Sequence, residues 1–442
     1  MSPLPAALRD LPRLRTRDLG SIGTLLRPGT QSSPLTALGP RFLATPPGFP
    51  PVLVTSDPGD VRDLFGNHDD FSIGQVLTRF SSHDRMFGGQ ALIFLDGDEH
   101  RRERRILTPP FQNQAVRAYE PHITAAVHRA LPQWPVGEPF AFLNAAYRLV
   151  LDILLETTFG ELPADRRTRL AEAIRAWLDE IASRGFLALT ALTPLLGGFT
   201  PPYPPLTRKQ AAVDALVVEE ITARRAAPGD DDTRTDVLFR YMRVRAASGT
   251  DEILARDVRG VLLAAYETTS ITLGWIAAML TAHPNATAEL DAAADAGDRD
   301  RLDTYLDAVI TETMRLRPVS PYTARRALRD TALNGVRVPR GTVVVIPILV
   351  IHESPDNHPD PLEFRPERFL GERPQGHTWL TFGAGAHRCL GAQFALAEAH
   401  VVFRALLEHR RIASTAGPVE PPRRFHTGLS PAADARITLL PR

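Results

Sequence analysis

Phe382-Gly383-Ala384-Gly385-Ala386-His387-Arg388-Cys389-Leu390-Gly391 is the stretch that decides how this 442-residue chain is read. It contains the only cysteine in the sequence. The glycines allow a tight turn and let backbone approach a flat ligand closely. The residues that follow, AQFALAEAHVVFRALLEHR, have helical spacing, so a helix is predicted over 389–410, opening at the cysteine itself. A thiol at a helix N-terminus ionises more easily, because backbone N–H groups and the helix dipole stabilise the anion. The thiolate is the form that ligates a metal such as iron. A lone cysteine outside such a setting is usually buried and inert. It is the glycine loop and the helix that single Cys389 out.

The single cysteine also rules out an intrachain disulfide and a cysteine-based zinc site, and it suits a reducing cytoplasm. Lys+Arg and Asp+Glu balance at 51 each, so overall charge gives no reason to expect nucleic acid as a partner. The N-terminal MSPLPAALRDLPRLRTRDLG lacks the apolar core of a signal peptide, and no window offers the ~18 uninterrupted apolar residues of a transmembrane segment. A soluble, cytoplasmic protein is expected. The length alone allows two or three domains. No linker interrupts the pattern, however, and a single large α-rich domain over 1–442 is preferred, with 1–60 irregular or β-containing and 60–442 forming the core. Helix-like spacing recurs over 98–108, 113–131, 141–158, 164–183, 207–225, 255–283 and 301–316. The centre of the 255–283 segment, VLLAAYETTSITLGWIAAML, is apolar nearly all round and should run buried through the middle of the protein. Strands are expected at 334–338 and 342–350. The apolar, Pro- and Gly-rich stretch 184–205 reads either as a buried loop or as a lid over a binding site.

Further constellations carry chemistry, each with a bland alternative. Glu312-Thr313-Met314-Arg315 places an acid and a guanidinium at i, i+3 on one helical face, which alone is an ordinary surface pair. Asp96-Gly97-Asp98-Glu99-His100-Arg101-Arg102-Glu103-Arg104-Arg105 sets His100 and Arg104 at i, i+4, or is simply a solvated charged face. Ala264-Ala265-Tyr266-Glu267-Thr268-Thr269 puts a hydroxyl beside an acid midway along the long helix, an arrangement that relays protons. Its bland reading is a Thr268 hydroxyl bonded back to a carbonyl, bending the helix.

Taken in order, these motifs resemble those of the cytochrome P450 family. FGAGAHRCLG is similar to that family's haem-binding loop, Phe-x-x-Gly-x-x-x-Cys-x-Gly. The resemblance implies a mainly α fold with small β-sheets and a long central helix over the haem. It makes Cys389 the iron ligand, with Phe382 packed near the sulfur and Gly383 turning the loop beneath the cofactor. His387, His100, Arg104 and Arg325 take the positions of haem-propionate partners, and Arg326 is a near miss. Glu312 and Arg315 would join Arg368 of Phe364-Arg365-Pro366-Glu367-Arg368-Phe369 in a structural network that fixes the cysteine loop. Ala264, Glu267 and Thr268 would form the oxygen-activation site, Ala264 against the cofactor and the other two delivering protons. Ala265 departs from the usual glycine and leaves the local helix distortion open.

The same resemblance implies haem b as cofactor, O2 as co-substrate, and hydroxylation or epoxidation of an apolar fatty acid, terpenoid or polyketide-like substrate by a monomeric enzyme. Apolar residues such as Phe71, Phe80, Met86, Phe87, Phe186, Leu187 and Leu429 would line its pocket. Too little chain follows residue 410 for a flavin domain, and one cysteine cannot hold an iron–sulfur cluster. Electrons from NAD(P)H would therefore arrive through separate proteins, a ferredoxin and its reductase or a flavodoxin. Exposed Arg101, Arg102 and Arg105 would help form a basic docking face. The alternatives are a peroxide-dependent haem-thiolate enzyme, which should lack the acid–threonine pair, and a non-enzymatic haem sensor or carrier.

Overall fold

The computed structural model describes residues 8, 11–14, 38–45, 51–80, 83–88, 91–192, 200–226, 234–245, 249–372, 374, 376–425 and 428–442. Among these the chain forms fifteen α-helices and twelve short strands in four small sheets, a mainly α architecture.

The organising element is the central helix, Asp251–Ala282. Thr250 caps it by accepting a hydrogen bond from the Ile253 amide, and Asp251 and Glu252 set negative charge against the positive end of the dipole. Pro284, which cannot continue a helix, opens the next one, Pro284–Asp295. At 1.5 Å per residue the central helix is about 48 Å long. Every residue from Thr269 to Leu280 is buried. By length and composition it is apolar enough to cross a bilayer, yet 67 % of its most apolar window is buried inside the protein. That surface is covered by the helices Phe142–Phe159, Pro204–Ala226, Arg299–Leu316 and Ala392–His409.

A second apolar cluster lies under the largest sheet, whose strands run in the order Arg41–Ala44, Val52–Thr55, Val343–Ile346, Thr323–Ala327, Phe71–Ser72. Val52–Thr55 pairs in parallel with Val343–Ile346, and the other pairings are antiparallel. The sheet matters to the site because Thr323–Ala327 carries Arg325, held opposite Val344. A two-stranded ribbon follows, with Leu333 paired to Val336 across Asn334-Gly335. Both turn residues have positive φ, 41° and 80°, as a two-residue hairpin of this hand requires.

Several boundaries differ from those expected. The C-terminal helix begins at Ala392, not at Cys389. Arg388 is extended (φ −56°, ψ 141°) and Gly391 occupies the cap, so the cysteine stands in the loop before the helix. The 342–350 run is a strand only to Ile346; past Pro347 it becomes the short helix Ile348–His352. Part of the 184–205 stretch is a helix, Arg184–Leu192, and 193–199 lies outside the described residues. The helices Val237–Arg245 and Pro284–Asp295 escape a pattern reading, the first because it is short and the second because alanines blur its apolar face.

Glu312 and Arg315 are both fully buried. Arg315 Nε and Nη2 donate to the two oxygens of Glu312 at 2.7 and 2.9 Å. Nη1 donates to the carbonyls of His352 and Pro361, each at 2.7 Å. Glu312 Oε1 also accepts from Arg368 Nε (3.0 Å) and the Arg365 amide (2.9 Å). Arg368 completes its fork on the Pro359 and Asp360 carbonyls. A buried ion pair this fully hydrogen-bonded holds because each charge has partners, and removal of one member strands the rest. Arg315→Ala should therefore lower the unfolding free energy by about 3–5 kcal/mol. The check is a urea midpoint measured at unchanged m-value. Arg315→Lys should recover little, since a point charge cannot reproduce the fork.

Candidate functional site

The loop that carries Cys389 is built around two glycines. Gly383 and Gly385 have φ of +65° and +66°, a region that penalises other residues. At Gly385 there is also no room, because a Cβ would come within 2.3 Å of the Phe65 carbonyl oxygen. The loop closes on itself as the Gly383 amide donates to the Leu380 carbonyl and the Cys389 amide to the Phe382 carbonyl, both at 2.8 Å. Phe382 is half-buried and meets the Trp379 ring edge-on, with centroids 5.7 Å apart.

Cys389 keeps solvent-accessible surface, yet protein surrounds it closely enough that burial pushes its thiol pKa up. The Gly391 amide and the nearby Arg104 and Arg388 pull the other way without prevailing. This corrects the expectation of a thiol activated by a helix N-terminus. The helix starts three residues later, and desolvation outweighs what it supplies. A coordinating metal cation is the kind of partner that would ionise such a thiol.

Basic side chains gather beside this loop. His100 is buried and its ring stacks on His387, with centroids 3.9 Å apart and planes 27° from parallel. Arg104 and Arg325 lie within electrostatic reach of both rings. Burial, then the neighbouring charges, lowers His100 to about 4 and His387 to about 3. Arg325 is 5 % exposed and is pushed down to about 10 by burial. It donates to Thr323 Oγ1 and the Ala324 carbonyl and sits 5.7 Å from the centre of the Phe65 ring. Among the described residues neither Arg104 nor Arg325 forms a salt bridge. The nearest acid is Asp96, whose Oδ1 lies 3.9 Å from His387 Nε2 without a hydrogen bond, while its Oδ2 accepts from Ser72. Such a deficit of negative charge suits a ligand that brings carboxylates.

Arg326 faces the other side of its strand, donating to Gln75 Oε1. Arg101, Arg102 and Arg105 are exposed, and Arg101 is paired with Asp69 and Asp98. Asp96 belongs to the charge run in the sequence, but its place opposite His387, 291 residues away by subtraction, has no local signal.

On the central helix, Ala264 and Thr268 are exposed, with half-buried residues between them and buried ones at 262–263 and 269–270. They are one turn apart and so share a face. Thr268 Oγ1 donates to the Ala264 carbonyl at 2.7 Å. Ser270 and Thr272 bond back in the same way to Tyr266 and Thr268. The helix is nonetheless continuous through Ala265. Glu267 is half-buried. Of the expected pocket residues, Phe71 and Phe186 are each 1 % exposed and belong to the packing core, and Met86 and Leu429 are also buried. Leu187 faces outward, and the Phe80 side chain lies outside the described set. Ile73, Val76, Leu77, Phe87 and Phe94 stay partly accessible.

The histidine pair sets a pH dependence. Both folded-state values lie below the ordinary 6.5, so the unfolded chain binds these protons first as pH falls. Stability should fall between about pH 6.5 and pH 3, and His387→Gln should flatten that slope. Urea midpoints across this range provide the measurement. Protein loaded with a dicarboxylate cofactor should show a shallower slope than unloaded protein.

Comparison with known proteins agrees with this geometry. The family model described as Cytochrome P450 matches residues 41–434. Cytochrome P450 137 of Mycobacterium tuberculosis is 34% identical over 359 residues, which cover 80% of this chain and 74% of that one. Cytochrome P450 135B1 of Mycobacterium bovis is 34% identical over 399 residues, covering 88% and 82%. Retinoic acid-bound cyanobacterial CYP120A1 superposes with a TM-score of 0.75 at 22% identity, over 94% of this chain and 95% of its own. A zebrafish cytochrome P450 solved with progesterone gives 0.73 at 22%, over 96% and 99%. These two solved structures speak for the fold alone, whereas the family model spans most of the chain. The chain belongs to the cytochrome P450 family and is an oxidoreductase of the monooxygenase class.

Proposed function

We propose that this protein is a soluble, cytoplasmic haem-thiolate monooxygenase, one domain over 1–442, that inserts one atom of O2 into an apolar substrate. The observation that carries the reading is the pairing of an accessible Cys389 with four basic side chains, of which Arg104 and Arg325 form no salt bridge among the described residues and His387 meets Asp96 only at 3.9 Å. That donor set fits haem b: one soft thiolate for the iron, and His100, Arg104, Arg325 and His387 for two propionates. Gly383 and Phe382 shape the loop beneath the cofactor. Bound haem supplies the reductive activation of dioxygen.

The rest falls to the chain. Thr268 holds its hydroxyl one turn above Ala264, on an exposed face of the central helix. It serves as the last proton donor, and Glu267, adjacent in the sequence, resupplies it. The hydrogen bond to the Ala264 carbonyl holds the hydroxyl in place with its lone pairs free to accept a hydrogen bond; to donate, the hydroxyl turns its proton off that carbonyl as it accepts a replacement from the Glu267 side. The apolar side chains of Ile73, Val76, Leu77, Phe87 and Phe94 favour a hydrocarbon-rich substrate and exclude water. The segment at 83–88 is held in place by the Pro204–Ala226 and central helices. Gln210 Nε2 donates to the Arg85 and Met86 carbonyls, and Arg259 Nη1 donates to the Phe87 carbonyl. Electrons come from a separate ferredoxin or flavodoxin with its NAD(P)H-dependent reductase, approaching the exposed Arg101, Arg102 and Arg105.

Purified, haem-loaded protein should give the long-wavelength ferrous–CO band of thiolate ligation, and Cys389→Ala should abolish it. Persistence of that band without Cys389 would defeat the reading. Titration with apolar compounds should shift the spin state. Product should form with reduced ferredoxin and only poorly with peroxide. Thr268→Ala should keep the CO band and lose product formation by about 10²-fold, the usual size of a proton-transfer contribution.

A further inference from the structure

We propose that His352 is a positioning residue for the thiolate loop, joining the buried Glu312–Arg315 pair to the backbone that presents Cys389. This rests on the reading of Cys389 as the iron ligand. His352 ends the short helix Ile348–His352 and is fully buried. Its Nε2 lies 2.7 Å from the Leu380 amide nitrogen. A backbone N–H can only donate, so Nε2 accepts. The proton of the neutral ring therefore sits on Nδ1, which donates to the Arg315 carbonyl at 2.9 Å. The connection is reciprocal, because the His352 carbonyl accepts from Arg315 Nη1. Burial lowers the ring to about 3, in keeping with a single neutral tautomer that has both nitrogens engaged.

Beyond Leu380 the path continues without a break. The Leu380 carbonyl takes the Gly383 amide, and the Phe382 carbonyl takes the Cys389 amide. Two other ties link this loop to the Arg299–Leu316 helix: Trp379 Nε1 to the Thr311 carbonyl at 3.3 Å and Thr381 Oγ1 to the Met314 carbonyl at 3.1 Å. Both run through side chains of the loop and are longer. The imidazole instead grips the loop's own backbone, at the residue whose carbonyl fixes Gly383. A core histidine that merely filled space would need neither bond.

Two substitutions separate the bonds. His352→Asn keeps a donor where Nδ1 stands and withdraws the acceptor from the Leu380 amide. His352→Gln carries an acceptor out to the Nε2 position. With His352→Asn, amide exchange over 376–390 should quicken about tenfold, the size of one buried hydrogen bond, while 301–316 stays as in the wild type. The ferrous–CO spectrum should move partly from the thiolate band to that of a protonated thiol. His352→Gln should restore both. Equal loop exchange in the two variants, or wild-type exchange in His352→Asn, overturns the proposal. Should His352→Asn fail to fold, residue-resolved exchange of the wild type decides, because a Leu380 amide no slower than its loop neighbours also overturns it. A wild type without a thiolate band would sink the Cys389 reading, while loop exchange would still judge His352.

Discussion

Two fully buried opposite charges, Glu312 and Arg315, are the constraint around which the cysteine side of the molecule is arranged. Neither would be tolerated alone, since a single uncompensated buried ion costs several kcal/mol. Paired, they still leave guanidinium protons and a carboxylate lone pair to satisfy. The structure meets that demand with backbone: the carbonyls of His352, Pro361 and Glu363, and the amide of Arg365. The polar requirement of one ion pair thus dictates the course of the irregular segment between Glu353 and Leu380. It has little regular structure of its own, and it is ordered by what it must donate to and accept from.

On the other side of the site the logic is reversed. His100, Arg104, Arg325 and His387 are brought together with Asp96 close to His387 but hydrogen-bonded to Ser72, and burial lowers both imidazoles, to about 4 and about 3. A cluster of this kind is at its least stable without its ligand and gains most when carboxylates arrive. At Cys389, too, burial works against the charged form and pushes the thiol pKa up. Taken together, the site is complementary in charge to a cofactor with a central cation and peripheral carboxylates.

Much of this was legible in the sequence, because the chemistry demands particular residue types at fixed spacing. The glycine loop before Cys389, Glu312 and Arg315 one turn apart, and Glu267 beside Thr268 are all local patterns. The central helix announced itself by an apolar run too long for a strand. What stayed hidden depends on partners distant in sequence or on degree of burial. The direction of the Cys389 shift follows from desolvation, which no motif encodes. The helix start moved because Arg388 is extended, a backbone choice with no side-chain signature. His352, just past the strand expected at 342–350, carried no signal, since its partners Arg315 and Leu380 lie 37 and 28 residues away. Ala264 and Thr268 were singled out by the motif they belong to, but only packing shows that both are exposed.

The bonds that fix the cysteine loop have a further consequence, for the order in which the chain assembles. The links from Arg315 to His352 and Pro361, from Arg368 to Glu312, and from Leu380 to His352 span 28 to 56 residues, all within the last third of the sequence. Closing loops of that length costs less entropy than closing longer ones, and it needs only the stretch from Glu312 to Cys389 to be present. His100 and Arg104, by contrast, are made early and must wait for His387, 287 residues further on from His100 by subtraction, before the basic cluster exists. The sulfur-bearing half of the site is thus a local unit, and the charge-matching half is a long-range closure. The two halves meet only once the whole stretch from His100 to Cys389 has been made.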